Sequence, residues 1–287
     1  MTELKRDDLA IRSAKVSKGY RVGLAWRRRE ALRCVDVEIA RGELIGLAGP
    51  NGSGKSTWMR LVAGVEFQSS GSLEVLGAST ADTEVRRKIG FLPEDAPFPP
   101  ELGARACLDL LGSLSGLKRQ HSRERGDALL ARVGLAHEAK TSLGKFSRGM
   151  LRRFGLAQAW LHSPELILLD EPTAGLDAEG HEVLSGLLRE ARDNGTTVVL
   201  SSHLPGDFGA ACDRLAVMVN GELVRIGPPA ELLGKEGCWN IDVHGLEKDR
   251  LQELEDWLES AGAETNSIRA TGRELSELYR PRSTNSQ

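Results

Sequence analysis

Apolar and polar positions alternate in the first part of the chain and then give way to continuous apolar runs. Residues 31–39 (ALRCVDVEI) alternate apolar with polar side chains, which predicts a half-buried strand. Leu44–Ala48 is a short continuous apolar run, as in a central strand of a parallel sheet. Residues 55–63 have helical spacing, and Gly64 marks the end of that helix. Two further strands are predicted at residues 72–76 and 88–92.

From about residue 93 to residue 162 the period changes to that of helices. Apolar residues recur at helical spacing in three segments: Ala104–Leu114, 123–133 and 149–161. Because strand patterns lie on both sides of this segment, we expect a helical subdomain inserted into an α/β core, not a separate domain.

Strand patterns return after the helical segment. Leu166–Leu169 and residues 196–200 are predicted strands, separated by a helix over Ala178–Asp193. A turn at Asn220-Gly221 is expected to join two more strands in a hairpin. These last strands are predicted at residues 215–219 and 223–226. The pattern indicates an α/β core that is built mainly on a parallel sheet.

Gly227-Pro228-Pro229 marks a boundary near the end of the core. We therefore predict one domain over residues 1–235 and a C-terminal accessory segment over residues 236–287. The accessory segment is predicted to contain a strand at 239–243, an amphipathic helix at 247–261, a short helix at 273–279 and a disordered polar tail at 280–287.

Composition and charge are those of an ordinary globular protein. The 287 residues are 40% hydrophobic and 28% charged, and the net charge of -3 gives no reason to expect nucleic acid as a partner. Three basic clusters, at 27–29, 86–88 and 152–153, are expected to be solvated faces. Four separated cysteines are typical of free thiols in a reducing compartment. No signal peptide and no apolar run near the ~20 residues of a membrane span is recognisable, so we expect a protein that is cytosolic or that sits on a membrane through a partner.

The stretch GPNGSGKST, residues 49–57, follows one predicted strand and opens a predicted helix. Its glycines allow successive backbone N–H groups to converge on phosphate oxygens at the helix N-terminus. Lys55 is expected to reach the β- and γ-phosphates, and the Ser56 hydroxyl to coordinate Mg²⁺. The predicted nucleotide-binding residues of this loop are Gly49, Pro50, Asn51, Gly52, Ser53, Gly54, Lys55, Ser56 and Thr57.

A second candidate element is LILLDE, residues 166–171. Four apolar residues place Asp170 at the carboxyl end of a buried strand, where α/β sheets bind ligands. Asp170 is therefore a candidate Mg²⁺ ligand, and the adjacent Glu171 a candidate general base for an attacking water. The alternative is an acidic pair that only caps the strand. This interpretation is less favoured beside a phosphate-binding loop.

A third candidate element, KFSRGMLRR at residues 145–153, opens a predicted helix. Ser147 and Gly149 lie at the start of that helix, where backbone donors and the helix dipole favour negative charge. Two phosphate-binding helix ends in one chain are expected if ATP is held between two subunits, because each ATP then contacts one helix end from each subunit.

With these elements in this order, the sequence resembles the ATP-binding cassette (ABC) ATPases over about residues 16–227. GPNGSGKST is similar to the Walker A loop, LILLDE to the Walker B strand, and FSRGM to the signature, whose usual form is LSGGQ. AGLD at 174–177 resembles the D-loop, and His203 stands at the switch histidine. The resemblance implies a P-loop NTPase core with an antiparallel β subdomain, an inserted helical subdomain and a small C-terminal α+β appendix.

The resemblance also implies roles for further residues. Tyr20 would stack on adenine, with a packed surface tyrosine as the alternative. His203 would bind the γ-phosphate and orient the water, so Glu171, His203 and Lys55 form the implied catalytic set. Ser147, Gly149 and Asp177 would act across a dimer interface on the nucleotide of the opposite chain. The implied metal set is Ser56, Asp170 and Glu94.

Three motifs depart from the usual family pattern. Glu94, in GFLPEDAP, stands where glutamine is usual, although the exporter-like branch also has glutamate there. In the signature, Phe146, Arg148 and Met150 replace Leu, Gly and Gln, and Arg148 either adds a cation near phosphate or faces solvent. Ala178 follows Asp177 in place of the frequent proline.

Within this family, three segments resemble those of the bacterial ABC-2-type exporter branch: YRVGLAWRRREAL, RRKIGFLPED and DEPTAGLD. This resemblance implies an ATPase subunit that dimerises, with itself or a paralogous cassette, and drives separate transmembrane permease subunits from the inner face of the membrane. The alternative is a soluble ABC ATPase that drives a non-transport assembly or remodelling step. Arginines 27–29 are expected on a hairpin tip, in contact with lipid headgroups or the membrane partner, or simply solvated.

Overall fold

The structure, a computed structural model, describes residues 8–22, 27–203 and 211–233, together with residues 250, 253, 256 and 257. The chain divides into two compact units, Met1–Gly234 and Lys235–Gln287. The predicted strand at 239–243, the predicted helix at 273–279 and the tail lie outside the described residues, and the predicted helix at 247–261 is described at four positions only. Within the described ranges, no helix combines the length and the apolar character needed to cross a bilayer.

The first unit contains two sheets. The antiparallel sheet consists of β1 (Leu9–Val22), β2 (Arg27–Ala40), β4 (Ser70–Val75) and β5 (Ala78–Ser79), in the order β2-β1-β4-β5. The second sheet consists of β3 (Leu44–Ala48), β6 (Ile89–Leu92), β7 (Leu166–Leu169), β8 (Thr197–Ser202), β9 (Arg214–Val219) and β10 (Glu222–Gly227), in the order β10-β9-β3-β8-β7-β6. All its pairs are parallel except the β9–β10 hairpin. The predicted α/β core on a mainly parallel sheet is confirmed.

Seven helices are described: α1 (Lys55–Val62), α2 (Thr83–Arg86), α3 (Ala104–Leu114), α4 (Arg119–Arg132), α5 (Arg148–Trp160), α6 (Ala178–Asp193) and α7 (Pro229–Leu233). The bounds predicted for α3 and α6 are confirmed. Asp177 explains the start of α6, because its carboxylate accepts a hydrogen bond from the Gly180 N–H at 2.8 Å. Ser147 caps α5 in the same way, through the Met150 N–H.

The central strands β3, β7 and β8 are buried on both faces of the sheet, which is why β3 and β7 are continuous apolar runs. On β7, Ile167 and Leu169 pack into a core with the helices α3 to α6, whereas Leu166 and Leu168 pack into a core with α1 and the antiparallel sheet. Full burial of each such side chain contributes about 1.5–3 kcal/mol of hydrophobic stabilisation. The carboxyl edge of the sheet is thus held rigidly from both sides.

Two expectations about basic residues are wrong. Residues 27–29 are not a hairpin tip, because they are the first residues of β2 and pair with β1, with Arg29 opposite Tyr20. Arg152 and Arg153 are not a solvated face, because their exposed fractions are only 7% and 8%. Both lie on the inner side of α5, where their guanidinium groups bond to backbone carbonyl groups.

Candidate nucleotide-binding site

An open cleft of about 1030 Å³ lies at the carboxyl edge of the parallel sheet. Loops that follow β3, β6 and β7 reach it, as expected for ligand sites in α/β sheets. It is lined by Tyr20, Arg29, Glu30, Ala31, Arg33, residues 51–57, Glu94, Glu171 and Asn220. The cleft therefore brings together the predicted phosphate loop, the predicted base and the predicted adenine-stacking residue.

The loop at 49–57 has a backbone that only glycine allows at two points. A Cβ added at Gly49 would lie 2.2 Å from the carbonyl oxygen of Met218, so no side chain fits there. Gly54 has a φ of +108° and caps the N-terminus of α1. The hydroxyl oxygen of Ser53 is buried and has no hydrogen-bond partner among the described residues. Donors without a partner beside a helix N-terminus are suited to phosphate.

Lys55 extends into the same loop. Its Nζ donates to the carbonyl oxygen of Gly49 at 2.7 Å and lies 3.6 Å from Oε1 of Glu171. The side chains of Lys55 and Glu171 are only 5% and 8% exposed. The cation and the carboxylate thus form a buried ion pair at the phosphate-binding loop.

A short hydrogen-bond network joins the ends of β7 and β8. The Ser201 hydroxyl donates to Oδ1 of Asp170 at 2.6 Å and accepts from the backbone N–H of Glu171 at 2.9 Å. Nδ1 of His203 lies 2.9 Å from Oε2 of Glu171. Because a carboxylate only accepts hydrogen bonds, Nδ1 carries the proton of this contact and Nε2 remains directed elsewhere. Glu171 therefore contacts both His203 and Lys55.

The backbone of Glu171 is unusual. Its φ is +48°, a left-handed conformation that costs a residue other than glycine about 1–3 kcal/mol. Ser201 binds its N–H group, and Nη2 of Arg152 donates to its carbonyl oxygen at 2.5 Å. These two bonds hold the residue in the strained conformation from both sides.

The site offers an incomplete set of cation ligands. Oδ2 of Asp170 is fully buried and has no hydrogen-bond partner among the described residues. Within those residues, no group of three or more His, Cys, Asp and Glu side chains is arranged to enclose a metal ion. Mg²⁺ is usually held by one or two carboxylates together with substrate phosphates and water, so a single free carboxylate oxygen beside a phosphate loop fits that ion.

Tyr20 also lines the cleft, and its side chain is held in place by its neighbours. Its hydroxyl donates to Oε2 of Glu66 at 2.6 Å, and Nζ of Lys18 lies 5.1 Å from the centre of its ring. Lys18 also pairs with Glu66 at 3.2 Å. Burial and the hydrogen bond to Glu66 raise the pKa of Tyr20. The phenol therefore stays neutral and oriented, which suits a stacking surface.

Seven predicted residues are not among the described residues that line this cleft. Gly49 and Pro50 directly precede lining residues, Asp170 precedes Glu171, and His203 contacts Glu171. The other three are Ser147, Gly149 and Asp177. Gly149 and the D-loop are neighbours, since a Cβ at Gly149 would lie 3.3 Å from the carbonyl oxygen of Gly175. Ser147 and the Asp177 side chain are exposed. The first turn of α5 and the D-loop, residues 174–177, thus form a second polar surface, whose predicted residues do not line the cleft.

Several residues that hold the site residues in place were not predicted from the sequence. Ser201 follows Leu200, the register partner of Leu169, so it lies beside Asp170; a polar residue at the end of a buried strand was the available signal. Arg152 was assigned to the surface, and nothing in the local pattern indicates its burial. Glu66 lies in an irregular segment with no recognisable motif.

Comparison with known proteins agrees with this geometry. Residues 32–174 match the family described as ABC transporter. The uncharacterized ABC transporter ATP-binding protein sll0415 of Synechocystis sp. is 35% identical over 244 residues, which are 84% of this chain and 69% of that protein. The Nod factor export ATP-binding protein I of Cupriavidus pinatubonensis is 31% identical over 221 residues, which are 76% of this chain and 68% of that protein.

A solved structure shows the same fold. The ATP-binding cassette MJ0796, determined as a dimer in a post-hydrolysis state with ADP and Pi, superposes with a TM-score of 0.71 at 26% identity. The match covers 76% of this chain and 98% of that cassette.

The fold and the cleft define a P-loop ATPase of the ATP-binding cassette class. The chain belongs to the ABC transporter family, and it is the ATP-binding, ATP-hydrolysing component of such a transporter.

Proposed function

We propose that this chain binds Mg-ATP in the described cleft, hydrolyses it as a dimer and drives separate membrane-spanning subunits in export. The observation that carries the catalytic part is the convergence on Glu171. Oε1 of Glu171 lies 3.6 Å from Nζ of Lys55, and Oε2 lies 2.9 Å from Nδ1 of His203. A buried carboxylate held beside a phosphate-binding lysine suits a base that takes a proton from water attacking the γ-phosphorus.

Each residue of the site has a separate role in hydrolysis. Lys55 and the amide groups of the loop hold the β- and γ-phosphates. Glu171 accepts the proton of the attacking water while the bond between the γ-phosphorus and the bridging oxygen breaks. His203 keeps the carboxylate oriented and contacts the γ-phosphate. Ser56, Asp170 and Glu94 would hold Mg²⁺, which neutralises charge on the phosphate oxygens.

The second polar surface is assigned to a partner cassette. We infer that Ser147, Gly149 and Asp177 contact the nucleotide of the opposite chain, because they lie outside the cleft of their own chain. The dimeric structure of the related cassette supports this arrangement. The partner is a second copy of this chain or a paralogous cassette.

Export as the direction of transport rests on the relatives. A protein named for Nod factor export is among them, and this chain covers 68% of its length. We infer a location at the cytoplasmic face of the membrane, where ATP is available and where the membrane-spanning subunits would present their docking surface.

The test is the substitution Glu171→Gln, which removes the base and preserves the shape of the side chain. ATP binding is expected to remain, steady-state turnover to fall on the order of a thousandfold, and a nucleotide-bound dimer to accumulate. Phosphate release and size-exclusion chromatography with Mg-ATP measure these effects. Glu165→Gln is the matched control, because Glu165 pairs with Arg41 and Lys88 away from the cleft. Normal turnover by Glu171→Gln would contradict the assignment.

A further inference from the structure

The buried guanidinium of Arg152 lies between two loops that end neighbouring strands. From α5, its Nη1 donates to the carbonyl oxygens of Pro93 at 2.8 Å and Glu94 at 3.1 Å. Its Nη2 donates to the carbonyl oxygen of Glu171 at 2.5 Å and also bonds to that of Asp170. One side chain thus connects the loop after β6 with the loop after β7.

These carbonyl groups need a donor because the sheet ends there. β6 and β7 pair in parallel as far as Leu92 and Leu169, and the N–H of Asp170 then bonds to the carbonyl oxygen of Leu92. Beyond that point the two backbones no longer bond to each other in a ladder. A planar guanidinium carries five donors in a fixed fork, so it can reach carbonyl groups on both segments at once.

Arg152 binds main chain and leaves the carboxylates available. Its hydrogen bonds go to backbone carbonyl oxygens, those of Pro93, Glu94, Asp170, Glu171 and Pro172. Burial lowers the pKa of Arg152, and the charges of Asp170, Glu94 and Glu171 oppose that effect. The carboxylate of Glu171 consequently remains directed at Lys55 and His203 while its carbonyl group is held by Arg152.

We propose that Arg152 is a positioning residue for ATP hydrolysis, which fixes the main chain of Glu171 against that of Glu94 from the helix that begins at the signature. The proposal rests on the proposed role of Glu171 as the base. The left-handed backbone at Glu171 needs external bonds to persist, and Arg152 supplies the bond on its carbonyl side.

The position of Arg152 on α5 gives the contact a second consequence. Ser147 caps the same helix five residues earlier, about 7.5 Å along its axis at 1.5 Å per residue. A rigid shift of α5 therefore moves two things together: the first turn of the helix, with Ser147 and Gly149, and the Arg152 side chain that binds the main chain of Glu171. In this proposal, hydrolysis depends on the placement of α5.

The test is Arg152→Lys in the full-length chain, with Mg-ATP. A lysine keeps the charge but is a point donor that cannot span both loops. We expect kcat to fall on the order of ten- to a hundredfold, because small misplacements of a reacting group carry costs of that size. KM and the Kd for ATP should change less than about threefold, because the phosphate loop is untouched.

Arg125→Lys is the matched control. Its guanidinium donates to the carbonyl oxygens of Leu161 at 2.7 Å and Trp160 at 3.1 Å, at the other end of α5. The same substitution there removes the same kind of bond and should leave kcat unchanged. In a Glu171→Gln background, Arg152→Lys should cause no further loss of the residual single-turnover rate, since the residue that it positions has already lost its function.

Three results would overturn the proposal. One is a kcat for Arg152→Lys within about twofold of the parent. Another is a parallel loss of ATP affinity, kcat and melting temperature, which is the expectation for a purely structural residue. The third is that neither Arg152→Lys nor Arg152→Gln folds. Normal turnover by Glu171→Gln would instead contradict the proposed base, so the two failures are distinguishable.

Discussion

At the scale of single residues, Glu171 combines backbone strain with a precise set of neighbours. Its φ of +48° is stabilised by Ser201 on the amide side and by Arg152 on the carbonyl side. Strained residues persist where the surrounding structure over-determines them, and such residues concentrate at functional sites. The strain therefore supports the assignment of Glu171 as the centre of the hydrolytic site.

Tyr20 has two possible roles, as a stacking surface for adenine or as a packed surface residue. Burial favours the neutral acid at Glu66, but hydrogen bonds from Tyr20 and Lys18 outweigh it and lower the pKa of Glu66. The phenol hydroxyl is therefore anchored by an ionised carboxylate. The ring itself lines the cleft.

We predict that Tyr20→Ala weakens ATP binding on the order of tenfold, because stacking of a base on an aromatic ring contributes about 1–3 kcal/mol. Tyr20→Phe keeps the ring and loses the hydrogen bonds of the hydroxyl with Glu66 and Thr57, so its Kd should stay within about threefold of the parent. Equilibrium binding of a fluorescent ATP analogue measures both. If the tyrosine were only a packed surface residue, Tyr20→Ala would bind ATP normally.

At the scale of elements, α5 lies unusually close to β6. A Cβ at Gly90 of β6 would lie 2.1 Å from the carbonyl oxygen of Ala159, and one at Gly155 of α5 would lie 2.5 Å from Cδ1 of Leu92. Glycine on each element thus allows the helix to pack directly on the strand. This close packing sets the distance from which Arg152 reaches the loop after β6.

We predict that Gly90→Ala destabilises the protein by about 1–3 kcal/mol, because the added methyl group meets rigid helix backbone. Gly186→Ala is the matched control. Gly186 lies inside α6, nothing lies within 4 Å of a Cβ built there, and the change should stabilise by about 0.5–1 kcal/mol. Urea unfolding midpoints measure both effects. A neutral Gly90→Ala would show that α5 can move away at no cost.

At the scale of the whole molecule, the candidate site is split between two surfaces. The phosphate loop and Glu171 line the cleft, and His203 contacts Glu171, whereas Ser147, Gly149 and Asp177 belong to the polar surface of α5 and the D-loop. In the proposed dimer, a complete site requires two chains, each of which supplies one of the surfaces. Dimerisation and hydrolysis are expected to be inseparable.

We predict that two inactive variants restore activity when mixed. Lys55→Ala damages the phosphate loop, and Ser147→Asp places a negative charge against the nucleotide while remaining a good helix cap. Each homodimer has two damaged sites, but a mixed dimer has one intact site. The ATPase rate of the mixture should exceed the mean of the separate rates several-fold.

The control mixture contains Lys55→Ala and Glu171→Gln. Both substitutions damage the same surface, so no mixed dimer contains an intact site and no recovery is expected. A Lys55→Ala and Ser147→Asp mixture that only averaged the two rates would contradict the shared site.

The regular elements were predictable where the local pattern is unbroken. The bounds of α3 and α6 follow from apolar spacing and, for α6, from the capping carboxylate of Asp177. β1 was not predicted, because its register with β2 shifts at several points between Leu9 and Gly19 and the alternation of its side chains is interrupted. The ladder, not the local pattern, makes those residues a strand.

The sequence by itself determined the phosphate loop, the acidic pair after β7 and the order of the family motifs, because short segments encode them through glycine spacing, strand periodicity and helix caps. Only the tertiary structure decided that Arg152 is buried, that Ser201 lies beside Asp170 and that Glu66 anchors Tyr20. Those contacts join residues 19, 31 and 46 positions apart. Contacts of this range are created by the packing of whole elements, which no local pattern of residues specifies.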